Sequence, residues 1–273
     1  MHLFNFIRKR DYSNIVKIEE IFDDLKTHID KLVQNGIPIS FYEMEDDLLR
    51  YFNNHQIKVE LNGYKEIILQ EETELELGGI NRKSFSLIYP ITNPNFKEYI
   101  KDGKITLIGP EIKDISESSI DFGMMIFIGG SRIIESDLDS FKQLNFISNG
   151  IEGFLIRSIP RKFWCRISAE IIEKDFSFQF LGNVIFYLYK QRFGNLIESM
   201  EIFFINSHPN IIDDFIRITS KIRDRINKRW IKKIENWKKR VDCEYDWGCE
   251  ICPYQEECYD IKQVLVEREK IEK

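Results

Sequence analysis

Residues 180–205 read FLGNVIFYLYKQRFGNLIESMEIFFI. The first part, 180–193, predicts a buried helix, and Ser199 to Ile205 predicts a strand. Working outward, the same two patterns recur. Phe122 to Ile128 is a short uncharged run followed by Gly129-Gly130, which fits a buried strand. Phe163 to Ser168 predicts another strand, and Phe85, Leu87 and Tyr89 alternate as strand residues do. Asp102-Gly103 is a tight-turn signal before a strand at Ile105, Leu107 and Ile108, which Gly109-Pro110 ends. From Glu135 the period lengthens, and Leu138, Phe141, Leu144 and Phe146 predict a helix stopping at Asn149-Gly150. This alternation predicts an α/β fold: a mixed αβ domain with helices packed on a central sheet.

The flanks read differently. Ile15, Ile18, Ile21, Phe22, Leu25, Ile29, Leu32 and Val33 predict a helix over 13–34, stopped by Gly36 and Pro38. A second helix is expected over 41–53, carrying Met44, Leu48, Leu49 and Phe52. Strands are expected at Ile57–Leu61, at Lys65–Leu69, and through Leu75 and Leu77 to Gly78-Gly79. Residues 211–240 read as one long helix. The expected organisation is an N-terminal helical region (1–66), the αβ domain (67–210), a basic amphipathic helix (211–240) and a small four-cysteine metal module (241–273).

Composition bounds the function. The chain has 273 residues, 43% of them hydrophobic and 31% charged, so a packed core is feasible. Its 45 acids and 39 bases leave a net charge of -6, with no bulk basic excess of the kind nucleic-acid binders show. No apolar run is long enough for a membrane span, and MHLFNFIRKRDY has too short an apolar stretch for a signal peptide, so a cytoplasmic location is expected. Alanine occurs once, at Ala169, so the helices must rely on packing rather than on propensity. Within 221–240 stand ten Lys/Arg and two Asp/Glu, against an acidic remainder. Ile222, Ile226, Trp230, Ile234 and Trp237 form an apolar stripe there, which favours a solvated amphipathic face over an arm for an acidic partner. Nucleic acid is not an expected partner.

Four of the five cysteines bunch as Cys243, Cys249, Cys252 and Cys258. Thiolates are soft ligands, and four of them suit a tetrahedral zinc or a [4Fe–4S] cluster. Zinc knuckles usually carry two Cys-x2-Cys pairs, and only Cys249/Cys252 has that spacing here. Pro253 directly follows, and Tyr245, Trp247, Tyr254 and Tyr259 could shield a cluster from water. The cluster is the favoured reading and zinc the alternative; either could serve only as a staple. Cys165 reads as a small core hydrophobe. His2, His28, His55 and His208 have no paired-ligand spacing, and no dinucleotide, P-loop or nucleophile-elbow motif is present. Arg157, Arg161 and Arg166 flank Trp164. Arg pairs with phosphate and Trp offers a stacking face, a set suited to a nucleotide-like ligand, though salt bridges around a core Trp would use the same residues.

Several short motifs run collinearly: Glu76-Leu77-Gly78-Gly79, Asp102-Gly103-Lys104-Ile105, Ile108-Gly109-Pro110, Asn149 to Gly153, Phe163 to Ser168, and Leu181-Gly182-Asn183-Val184-Ile185. Over roughly residues 70–252 the chain resembles the acetyl-CoA synthase subunit of the carbon monoxide dehydrogenase/acetyl-CoA synthase complex. The family joins a methyl group from a corrinoid protein, carbon monoxide and coenzyme A into acetyl-CoA, at a [4Fe–4S] cluster bridged to two nickels. The resemblance implies coenzyme A as a ligand of Trp164, Arg166 and Arg161; the family's second Arg falls on Pro160, one residue from Arg161. It implies a cluster on Cys249 and Cys252, with Cys258 earlier than the family has it and Cys243 upstream. The Cys-Gly-Cys segment that holds the distal nickel in the family has no counterpart in this sequence, so nickel is not expected. The implied protein is a short relative lacking the nickel-binding C-terminal part: an accessory or electron-transfer iron–sulfur protein of one-carbon and acetyl-CoA metabolism. Implied partners are the corrinoid iron–sulfur protein or carbon monoxide dehydrogenase subunits. A non-enzymatic regulatory or interaction module with a zinc or iron–sulfur staple is the rival expectation. No catalytic residue is assigned.

Overall fold

Helix α1 (Ile18–Gln34) is the first element of the computed structural model, which describes residues 18–64, 67–79, 81–92, 95–134, 137–159 and 162–224. After it come β1 (Ile39–Glu43), α2 (Leu48–Asn54), β2 (Thr73–Gly78), β3 (Ser84–Ile91), β4 (Lys104–Ile108), β5 (Ser119–Ile120) and β6 (Phe122–Gly129). Then follow α3 (Asp137–Phe141), α4 (Asn145–Ser148), β7 (Phe154–Ile159), β8 (Lys162–Ser168), α5 (Ala169–Glu173), α6 (Phe178–Phe193) and β9 (Ser199–Ile205). A last helix, α7, starts at residue 209 and is described through 224. The described residues up to Thr219 belong to one compact unit; Ser220 begins a second, of which 220–224 are described.

The described strands make two mixed sheets. The larger has the order β1-β4-β9-β6-β3. Its β4/β9 and β3/β6 pairs are parallel, while β1/β4 and β6/β9 are antiparallel. The smaller has the order β5-β2-β8-β7. In the larger sheet β6 and β9 are buried at every residue. A strand covered on both faces loses its polar alternation, which is why β6 reads as a continuous uncharged run and β9 as an apolar one interrupted by Ser199 and Glu201. One face carries Ile105, Leu107, Met124, Ile126, Ile202 and Phe204 into the main core beneath α6, where Phe178 packs 5.3 Å from Phe204. The opposite face takes α1 through Phe22, 4.9 Å from Phe127, and α7 through Phe215, stacked 6.3 Å from Phe85.

Phe122 joins the layers. Its ring is fully buried and stacks on Phe163 of the smaller sheet at 5.8 Å, on Phe178 of α6 at 5.8 Å and on Phe204 of β9 at 6.2 Å. Each such aromatic contact adds to the stabilisation from burial alone.

The α/β class holds, and the predicted buried helix and strand at 180–205 are α6 and β9. Several elements differ from expectation. Among the described residues there are two sheets where one central sheet was expected, because β2 and β7 both pair with β8 and cover the core from the other side. The expected helix over 41–53 is divided between β1 and α2, since Ile39–Glu43 hydrogen-bonds along β4 from Ile108 to Lys104. Of the expected strand at 57–61 only a single bridge forms, Val59 to Ile151. The expected helix from Glu135 breaks into α3 and α4. Phe146, Ile147 and Ser148 are buried in succession, which one straight amphipathic helix does not allow. At the break the Tyr189 hydroxyl donates to the Phe141 carbonyl at 2.8 Å. The long helix expected to residue 240 is seen only from 209 to 224, and the remainder with its four-cysteine module lies outside the described residues.

Candidate functional site

Strand β8 sorts its side chains by period two. Phe163, Cys165 and Ile167 enter the core. Trp164 and Arg166 therefore lie on the other, outward face and are half-buried. The register sets their neighbours. Trp164 lies between Arg157 of β7 and Gly78 of β2. In the next row Arg166 lies between Leu155 of β7 and Glu76 of β2. Directly opposed side chains on one sheet face interact, so Arg157 is the guanidinium nearest in register to the Trp164 ring.

Gly78 shapes this row. Its φ is +77°, and a Cβ there would fall 2.5 Å from the Phe163 carbonyl oxygen. Only glycine fits, so β2 puts no side chain beside Trp164. A flat ligand could lie along that strand.

The two arginines differ electrostatically. The Nε of Arg166 donates to Glu76 Oε2 at 3.1 Å, and its Nη1 donates to the Ile68 carbonyl at 3.1 Å. Its charge is met by a carboxylate and its orientation is set by the backbone. Arg157 is exposed and makes no ion pair among the described residues. An incoming anion therefore finds an uncompensated charge at Arg157 and a compensated one at Arg166. Ile67 and Leu69, flanking the carbonyl that holds Arg166, are 71% and 52% exposed and add an apolar shoulder.

Of the expected ligand-binding residues, the fold thus brings Trp164 and Arg166 to one face; Arg161 lies outside the described residues. Glu76 was not singled out in the sequence as a partner of Arg166. Only the β2–β8 register reveals it, because 90 residues separate the two. Cys243, Cys249, Cys252 and Cys258 all lie outside the described residues. Among the described residues no group of three or more His, Cys, Asp or Glu side chains could hold a metal ion. Cys165 is fully buried, and burial pushes its thiol pKa well up, so it is held as the unreactive thiol. Among the described residues no helix is long and apolar enough to cross a membrane.

Residues 57–211 match the family model described as CO dehydrogenase/acetyl-CoA synthase complex beta subunit. Three relatives illustrate the likeness. The acetyl-CoA decarbonylase/synthase complex subunit beta of Methanopyrus kandleri is 26% identical over 159 residues, covering 57% of this chain and 32% of the relative. Subunit beta 2 of Methanosarcina thermophila is 30% identical over 148 residues, covering 54% of this chain and 30% of the relative. Subunit beta 1 of Methanosarcina mazei is 25% identical over 198 residues, covering 68% of this chain and 38% of the relative. The chain spans about a third of the length of these curated relatives.

Proposed function

The chain belongs to the family of CO dehydrogenase/acetyl-CoA synthase complex beta subunits, and from that premise we propose that it is a coenzyme A-binding, iron–sulfur accessory subunit of acetyl-CoA metabolism. The observation that carries the ligand reading is the row Arg157–Trp164–Gly78 on the outward face of the smaller sheet. Trp164 stacks the adenine, with the bare Gly78 flank admitting its edge. Arg157 takes a phosphate through charge-assisted hydrogen bonds. Arg166, already committed to Glu76 and Ile68, holds the face in register rather than binding the anion.

The thiol set Cys243, Cys249, Cys252 and Cys258 has the donor chemistry of a [4Fe–4S] site. Such a cluster, when bound, supplies one-electron transfer. Its partners on this reading are other subunits of the complex, among them the corrinoid protein or carbon monoxide dehydrogenase.

Two measurements on the anaerobically purified full chain test this. Coenzyme A should quench a part of the tryptophan emission that is absent in Trp164→Phe, and Arg157→Ala should weaken binding by about tenfold, one charge-assisted contact's worth. Quenching that persists in Trp164→Phe and ignores Arg157→Ala rejects the site. Metal analysis should give about four irons per chain and a band near roughly 400 nm that Cys252→Ala abolishes. A colourless protein with one zinc rejects the cluster and favours a regulatory or interaction module.

A further inference from the structure

The larger sheet ends at β3 on one side and at β1 on the other. The β3 side is protected. Pro90 interrupts its row of donors, and Ser84 is tied to the smaller sheet, its Oγ accepting the Phe163 N–H at 3.2 Å. The β1 side has neither device. The strand contains no proline, and its register with β4 runs from Ile39 to Glu43 without a bulge.

Two backbone bonds fix which groups of β1 are spoken for. The Gly109 N–H donates to the Pro38 carbonyl at 2.9 Å, and the Met44 N–H donates to the Gly103 carbonyl at 2.7 Å. In an antiparallel ladder such pairs recur every second residue, so positions 38, 40, 42 and 44 turn their backbone groups to β4. The N–H and C=O groups of Ile39, Phe41 and Glu43 face the other way, and among the described residues no strand pairs with them. The Phe41 side chain is 57% exposed beside this row, with the Lys104 ammonium 4.6 Å from its ring centroid. An open edge of this kind is a template for one more strand.

The sequence of β1 selects that strand. Laid antiparallel against itself about a two-fold axis at Phe41, ISFYE sets Phe41 opposite Phe41 and Ile39 opposite Glu43 of a second copy. All three outward residues then form hydrogen-bonded pairs. Every other antiparallel register of outward residues leaves Ile39 or Glu43 opposite no strand residue. Aromatic rings meet at the axis, a favourable cross-strand pair. No like charges meet, since each Glu43 lies between Lys104 of its own β4 and Ile39 of the other copy. A foreign segment would find the same backbone groups but not this matching of side chains.

We propose that β1 is a two-fold interface at which a second copy of this chain adds its own β1, joining the two larger sheets edge to edge.

The test is sedimentation equilibrium of the full chain, held anaerobic with excess reductant so that cysteine cross-links do not count. The expected result is a reversible monomer–dimer equilibrium with a Kd between about 1 μM and 1 mM, the weak range that suits a small interface. Phe41→Pro removes an outward N–H and leaves the β4 ladder intact, so it should weaken the dimer at least about tenfold. Phe41→Asp sets two like charges at the axis and should do the same, which keeps the test open if proline disturbs the strand. Ile39→Lys faces Glu43 of the other copy with an ammonium, and should dimerise about tenfold more tightly than Ile39→Glu. Circular dichroism and thermal midpoints verify that each variant is folded. A chain that stays monomeric up to about 1 mM overturns the proposal. So does a dimer indifferent to the Phe41 variants, or one that Ile39→Glu forms as readily as Ile39→Lys. Coenzyme A binding at Trp164 stands or falls independently of all three.

Discussion

The Arg166 guanidinium meets the Glu76 carboxylate at 3.1 Å across the β2–β8 pair, and the same guanidinium holds the Ile68 carbonyl. Both side chains are about a quarter exposed, 26% and 24%. Solvent therefore screens the pair, and its worth is about 0.5–1 kcal/mol. Arg166→Ala should lower stability by about 1–2 kcal/mol once the Ile68 contact is also lost. Arg157→Ala should change stability by less than about 0.5 kcal/mol while weakening coenzyme A. Urea unfolding beside ligand titration separates the two. Equal losses of stability would mean that Arg157 is also structural.

Phe122 sits where three layers meet, so removing its ring leaves a cavity that no single neighbour can fill. Phe122→Ala should cost about 3–5 kcal/mol, read from the denaturant midpoint at unchanged slope. Phe122→Leu retains most of the volume and should cost clearly less. If the two variants cost the same, the stacked rings of Phe163, Phe178 and Phe204 are not what Phe122 supports.

The legible parts of this fold were those whose pattern has one physical cause. β6 is buried at every residue and carries no charge, and β9 and most of α6 are buried with few charges, which is what their apolar runs say. β1 was harder to read because its pattern mixes exposed and half-buried residues: Phe41 is 57% exposed with Lys104 Nζ 4.6 Å from its ring centroid, and only pairing with β4 defines the strand. β7 was missed because Phe154, Leu155 and Ile156 are buried in succession, which hides the alternation. The same omission hid how the candidate site is arranged. Arg157 was visible in the sequence as one of three arginines near Trp164, but its place opposite the ring depends on β7 being a strand. The division of labour between Arg157 and Arg166 depends on Glu76, a partner that only the long-range register supplies.

His28 gives one pH dependence. Its ring packs edge-on to Phe215 at 5.0 Å, and its Nε2 lies 3.9 Å from Asp214. Burial lowers its pKa, opposed by the Asp214 carboxylate and reinforced by Lys31 and Arg217. The folded protein thus prefers the neutral ring. Its contribution is present above the unfolded pKa of about 6.5 and is lost as the pH falls through the lower folded value. Denaturant midpoints measured from pH 8 to pH 5 should fall below about pH 6.5, and His28→Gln should flatten that part of the profile. An unchanged profile in the variant would assign the loss to other groups.

Glu201 gives the opposite dependence. It is 4% exposed on β9, accepts the Lys101 N–H at 3.0 Å and lies 3.8 Å from the Lys104 ammonium. Burial nonetheless dominates and raises its pKa, the backbone bond and the two lysines offsetting only part. A raised folded pKa favours the protonated acid in the fold. The contribution is full below the unfolded value, about 4.3, and declines as the pH rises through the folded value. At neutral pH the ionised carboxylate is a burden that a neutral acceptor would relieve. Glu201→Gln keeps an oxygen for the Lys101 N–H and removes the buried charge. The variant should match wild type near pH 4, gain on it as the pH rises through the folded value, and keep that advantage at pH 8, by thermal or denaturant midpoint. A variant less stable than wild type at pH 8 would show that the Lys104 pairing outweighs the burial of the charge.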